Sequence, residues 1–205
     1  MPEDRAAQEY TALMLARAAE AKDPTTGLHL ERMYHYSLAL ARAMEFSEAA
    51  ALEIATAAML HDIGKLMVAD TILQNPGPLT EDEWAIIRRH PAEGSWILGD
   101  SPVLAVARDI ARWHHERWDG CGYPDGLRGD EIPLHAALVS VADVYDALTS
   151  PRPYKPPWPA ERAITELRQL RGNHLHPEAV ASFIRLWEQG ALLEDPVGGT
   201  PTCQH

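Results

Sequence analysis

The run Ala58-Met59-Leu60-His61-Asp62-Ile63-Gly64-Lys65 sets an imidazole beside a carboxylate at the end of an apolar stretch. Burying an uncompensated carboxylate is costly, so a neighbouring cation is the natural reason for one there. Divalent ions would supply that charge. The remaining candidate ligands are His29, His90, His114, His115 and Asp143. Imidazole and carboxylate without thiolate suit iron, manganese, zinc or nickel rather than a structural zinc cluster. A carboxylate between two histidine sets can bridge two metals, and Asp62 is the candidate because His61 commits it to the same site. Taken singly, His29 or His90 is more often a structural or surface residue. Asp143, an acid in the mostly apolar Val139-Ser140-Val141-Ala142-Asp143, is evenly balanced between ligand and surface. His135 matches no motif and is read as structural. Trp96, Trp113 and Trp118 are read as core or cleft wall.

These groups need elements to aim them, and the apolar spacing is helical nearly throughout. One amphipathic helix is predicted over residues 5–21, with Tyr10, Leu13, Met14 and Leu15 among its apolar positions. A second spans 28–44. Ser47 is the N-cap of a third that runs to His61, and its alanines permit close helix packing. Thr80-Glu81-Asp82-Glu83 is a capping box that opens a helix ending near His90-Pro91. Ser101-Pro102 starts another, which ends at His114-His115. Residues 116–133 form a glycine-rich loop. Helices follow over 134–148, 160–171 and 177–188, and Pro151 to Pro157 is a stiff extended connection. No strand pattern is visible. The fold class is all-α. Every candidate ligand falls near a helix end or beside a break, so several helices can direct them to one point.

Composition narrows the function. A chain of 205 residues with 46% hydrophobic content suits one soluble core. No run approaches the roughly 18 apolar residues of a membrane helix. Met1-Pro2-Glu3-Asp4-Arg5 shows no basic-then-apolar signal pattern. Cys121 and Cys203 are far apart, so no disulfide framework is expected, and the compartment is read as cytoplasmic. A net charge of −12 argues against DNA or RNA as a partner, although bound metals can reverse the local field for a small phosphorylated ligand. The 10 histidines concentrate between His29 and His135.

Together, His61-Asp62-Ile63-Gly64-Lys65, His114-His115-Glu116-Arg117-Trp118-Asp119-Gly120 and Gly122-Tyr123-Pro124 resemble the HD-GYP branch of the HD phosphohydrolase superfamily. The doublet alone is a two-residue signal. Its specificity comes from the double histidine and the Gly-Tyr-Pro loop at domain-length spacing. The likeness continues through Thr26-Gly27-Leu28-His29 with Arg32, through Leu79-Thr80 to His90-Pro91, and through Asp143 to Arg152-Pro153-Tyr154-Lys155.

The resemblance implies a single HD-type helical bundle over residues 23–190. Residues 1–22 would be a supporting, coupling or dimerising helix, and 191–205 a flexible tail. It implies hydrolysis of cyclic di-GMP to linear pGpG, and in some members onward to GMP, by a metal-bridging hydroxide. One metal would be held by His29, His61, Asp62 and Asp143, the other by Asp62, His90, His114 and His115. Iron is the implied metal, with manganese or another transition metal as the alternative. Asp62 and Lys65 would be catalytic, with Lys65, Arg152 and Lys155 meeting the phosphates. Lys65 also has a plainer reading as a helix C-terminal cation, and Arg152 as a surface charge. The three-metal subset carries a glutamate where this chain has Thr25, so two metals are expected.

The Gly122-Tyr123-Pro124 loop is read equally as a tight connector and as a substrate lid or protein-partner surface. Two other functional classes stay open. One is a signalling module that binds a cyclic dinucleotide or a protein without hydrolysis. The other is an HD phosphohydrolase acting on a different nucleotide.

Overall fold

The computed structural model describes residues 2–22, 28–75, 77–151 and 156–192. Among them the chain is all helix and connection, with only an isolated bridge between Arg171 and Leu175. The helices are α1 (Pro2–Glu20), α2 (His29–Ala43), α3 (Glu48–Ala58), α4 (Asp70–Leu73), α5 (Glu81–Ile87), α6 (His90–Leu98), α7 (Ala105–Trp113), α8 (Leu134–Thr149), α9 (Ala160–Leu170) and α10 (Pro177–Glu188). A 3-10 turn, Ile63–Met67, follows the histidine–aspartate doublet. The all-α expectation holds.

α8 is the central element, in contact with α2, α7, α9 and α10. Its residues Ala136 to Ala142 are buried almost all round, as a core helix requires. Met33, Leu40, Ile110, Leu138, Ile164 and Phe183 reach the same core with no exposed surface. Each such side chain contributes roughly 1.5–3 kcal/mol on burial. Ala51, Ala55 and Ala58 of α3 are fully buried, and α3 packs on α2 and α7, so the alanine-rich face works as a close-packing surface.

Several boundaries differ from expectation. α3 stops at Ala58, not His61, because the His61 ring and backbone N–H both bond the Ala58 carbonyl and turn the chain. The capping box on Thr80 is present, with its helix ending at Ile87. His90-Pro91 then opens α6 instead of closing its predecessor. Proline in the first turn lacks only an N–H that the helix leaves unused. In α1 the buried face is Ala16 and Ala19, whereas Tyr10, Met14 and Leu15 are exposed. Trp96 is 74% exposed, so it is neither core nor cleft wall. Trp113 does pack against the core, and Trp118 stands edge-on to His176.

Candidate metal centre

Five elements converge on one point beneath the 3-10 turn. α2 supplies His29 from its first residue, and the turn after α3 supplies His61 and Asp62. α6 supplies His90, the end of α7 supplies His114 and His115, and α8 supplies Asp143. The seven side chains fall into two groups, Asp62 with His90, His114 and His115, and His29 with His61 and Asp143. Within each group the ligand atoms lie within 4.8 Å of one another.

Asp62 joins the groups through different oxygens. Its Oδ2 is 3.2 Å from His61 Nε2, while its Oδ1 is 3.2 Å from His90 Nε2 and 3.8 Å from His114 Nε2. Asp143 Oδ1 is 3.9 Å from His61 Nε2.

The imidazoles are oriented for ligation by their other nitrogen. His61 Nδ1–H donates to the Ala58 carbonyl (2.8 Å), and His90 Nδ1–H donates to that of Ile87 (2.7 Å). His114 Nδ1–H meets the carbonyls of Ile110 and Ala111, each at 3.1 Å. His29 Nδ1–H donates to Asp146 Oδ2 at 2.7 Å. Nε2 is therefore the ring nitrogen left to face inward, as in metal-binding histidines. Two features fit a cation there. The Nε2 atoms of His90 and His114 face each other at 3.3 Å, two acceptors with nothing to share. His61 Nε2 is buried and faces the Asp62 and Asp143 carboxylates with poor hydrogen-bond geometry to either.

The electrostatics agree. Burial opposes charge on His61, but Asp62 and Asp143 outweigh it and lift the pKa to about 9. Burial also opposes ionisation of Asp62, yet Lys65 and His61 hold its carboxyl well below the usual range. Burial and the neighbouring imidazoles push His114 down, and burial with His90 nearby brings His115 to about 4. Neutral His114 and His115 beside the ionised Asp62 are ready ligands, whereas a divalent cation at His61 would replace the proton that its raised pKa retains. The donor set fits a borderline transition metal.

Lys65 Nζ lies 2.7 Å from Asp62 Oδ2, so the lysine belongs to the site. Gly64 is required for this arrangement. A Cβ there would stand 1.9 Å from the His90 carbonyl oxygen, and its absence lets the turn lie directly on α6. Thr25, Arg152 and Lys155 lie outside the described residues. His135 is no part of the site; its Nε2 is 3.4 Å from Asp109.

Three positioning groups escaped the sequence reading. Asp146 orients His29 and is clasped by the Arg32 guanidinium through both carboxylate oxygens. Its spacing from Asp143, one helical turn within an apolar helix, was the available signal. Ser140 Oγ–H bonds the His114 carbonyl at 2.6 Å. Glu116, only 3% exposed, accepts the backbone N–H groups of Asp125, Gly126 and Leu127 and so ties down the glycine-rich loop.

Residues 13–179 match the HD domain family. The chain belongs to that family, in its HD-GYP branch. This HD-GYP domain is 45% identical over 175 residues to a cyclic di-GMP phosphodiesterase of Thermotoga maritima, covering 84% of the chain and 48% of that protein. It is 41% identical over 177 residues to 3′3′-cGAMP-specific phosphodiesterase 2 of Vibrio cholerae, covering 85% of the chain and 34% of that protein. The chain thus spans half or less of these relatives' lengths. An HDG"Y"P protein from Bdellovibrio bacteriovorus has the same fold at a TM-score of 0.63 and 23% identity, over 78% of this chain and 51% of that one.

In this HD-GYP domain the signature loop reaches the metal pocket. The Tyr123 ring stacks on His115 at 4.8 Å and 25°. Gly122 packs where a Cβ would stand 2.4 Å from the Arg117 nitrogen, so only glycine fits. No described helix is long and apolar enough to cross a membrane.

Proposed function

We propose that the chain hydrolyses a cyclic dinucleotide, cyclic di-GMP foremost, to linear pGpG, with two divalent cations at the centre, preferentially iron. The observation that carries this reading is Asp62. It lies between two inward-facing histidine clusters, one of which holds a pair of Nε2 atoms 3.3 Å apart. The names of the Thermotoga and Vibrio relatives support the substrate class.

His29, His61, Asp62 and Asp143 would hold one cation, and Asp62, His90, His114 and His115 the other. When bound, such a pair supplies Lewis acidity, neutralising phosphodiester charge and lowering the pKa of water. In the net reaction a water oxygen bonds phosphorus, the P–O3′ bond breaks and a proton ends on the 3′ oxygen. Lys65 offsets charge on the non-bridging oxygens as they become more negative. Arg152 and Lys155 meet the ligand's phosphates in this reading. Tyr123 holds the His115 ring by stacking and walls that side of the pocket. Thr25 offers no anionic third ligand, which favours pGpG as the product over further cleavage to GMP.

Residues 23–190 serve as the catalytic unit in this reading, 1–22 as its coupling helix and 191–205 as a tail. The Gly122-Tyr123-Pro124 loop doubles as a partner surface, and the protein acts in the cytoplasm. The cGAMP-specific relative favours a second reading, in which the mixed cyclic dinucleotide is preferred. Competition between the two dinucleotides on metal-loaded protein, with products separated by chromatography, decides between them. Loaded protein that leaves both intact would refute the proposal.

A further inference from the structure

We infer that Lys22, just past the end of α1, is a positioning residue for the turn that carries Asp62 and Lys65, and that docking of α1 sets the geometry of that turn. The kinetic part of this inference rests on the phosphodiesterase reading; the structural part does not.

α1 packs against the 3-10 turn Ile63–Met67 and against α3. The Lys22 ammonium donates to the carbonyls of Leu66 at 3.0 Å and Val68 at 2.8 Å, and lies 3.3 Å from Asp70 Oδ1. These carbonyls close the turn. The last carbonyls of any helical segment have no acceptor role within it, and a short 3-10 run has poorer internal bonding than an α-helix. Here the turn is held by Lys65 N–H to the Asp62 carbonyl at 2.9 Å and Val68 N–H to the Lys65 carbonyl at 3.1 Å. Lys22 fixes the far end of that short ladder from a different element.

α1 also forms a wall of the metal pocket. Ala16 and Ala19 are buried, and their small side chains let the helix backbone approach. Together with Glu20 they line a cavity of about 20 Å³ shared with His29, His61, Asp62 and Lys65. That space holds about one water molecule. The turn is therefore gripped on two sides, by α6 at Gly64 and by α1 at Lys22. Lys22 acts on the turn through the backbone carbonyls of Leu66 and Val68, with Asp70 as its third contact.

The test uses the full chain with Lys22→Met, Lys22→Arg and Asp70→Asn. Segment-resolved amide hydrogen exchange, manganese titration and steady-state kinetics are measured on each. In Lys22→Met the Lys65 and Val68 amides should exchange about tenfold faster or more, with α8 unchanged. Manganese affinity should fall about tenfold, the scale of lost supporting contacts around a metal site. The kcat for cyclic di-GMP should fall about tenfold while KM stays within about twofold, as for a misplaced transition-state group. Lys22→Arg should recover most of each loss, and Asp70→Asn should stay near wild type because both carbonyl bonds remain. Wild-type exchange in the turn and wild-type manganese affinity in Lys22→Met would overturn the inference. So would exchange that rises equally in α8, which marks a general stabiliser. If wild type hydrolyses nothing while the exchange and manganese results appear as stated, the phosphodiesterase reading fails and the positioning role stands.

Discussion

A single methyl group at Gly64 should dismantle half of the metal centre. The Cβ of Gly64→Ala would lie 1.9 Å from the His90 carbonyl oxygen, 2.6 Å from the Gly94 nitrogen and 2.8 Å from the His90 carbonyl carbon. All three are backbone atoms, so no rotamer change relieves the clash. Ordinary contact begins near 3.4 Å, and the difference from 1.9 Å requires the turn and α6 to part by about 1.5 Å. That movement carries His90 away from Asp62, where Nε2 and Oδ1 are now 3.2 Å apart. Transition-metal distances tolerate only about 0.2 Å, so the cluster of Asp62, His90, His114 and His115 should lose affinity by about 100-fold or more. Overpacking of this kind costs about 1–3 kcal/mol, and at about 2–4 °C per kcal/mol the Tm should fall by roughly 2–12 °C. Calorimetry of the metal-free protein and manganese titration of the refolded variant read the two effects separately. Gly99→Ala is the control. Gly99 has φ +65° and ψ −163° with nothing within 4 Å of its Cβ, so that variant costs about 1–3 kcal/mol of backbone strain and keeps its metals. A Gly64→Ala protein with wild-type Tm and two bound metals would show that the close contact of Gly64 with His90 does not hold the centre together.

Asp146→Ala should be the most damaging change outside the ligands, since it leaves Arg32 buried without its carboxylate and frees His29 Nδ1. Breaking such a pair costs about 3–5 kcal/mol, read as a denaturant midpoint shift, and metal affinity should drop about 10- to 100-fold. Glu116→Ala strands three backbone donors of the glycine-rich loop, for a loss of about 1–3 kcal/mol and faster proteolysis between 120 and 128. Asp125 is tied to α7 by Arg112 and by the Trp113 indole N–H, and the Arg112 hydrogen bond lowers its pKa from 3.8. The tether is complete above pH 3.8 and is lost as the pH falls through the depressed value, so a Trp113 fluorescence change should appear there and vanish in Asp125→Asn.

Much of the centre was legible because ligation needs particular residue types at helix ends. The seven named side chains lie in two neighbouring groups, with Asp62 close to both. Local backbone signals were equally readable: Ser47 caps α3, Thr80 closes a capping box, and α10 spans Pro177–Glu188 as expected. The misses share one cause, tertiary contact overriding local pattern. Pro91 read as a stop but opens α6, because only the neighbouring turn decides where that helix begins. Tyr10, Met14 and Leu15 looked like the packing face of α1, yet Ala16 and Ala19 are buried, since close approach to the metal pocket favours small residues. Carbonyl anchors for the histidines have no side-chain signature at all. Asp146 had one, but nothing in the sequence separated an oriented carboxylate from a ligand.

In the proposed function, Asp62 joins two cations into one hydrolytic centre. Its direct test is anaerobic loading of wild type and Asp62→Ala with ferrous iron, metal counting on each, and chromatography after incubation with cyclic di-GMP. Two metals and pGpG are expected for wild type, with loss of metal and of product in the variant. Asp62→Ala that retains both metals, or a fully loaded wild type that leaves the dinucleotide uncut, would contradict this proposal.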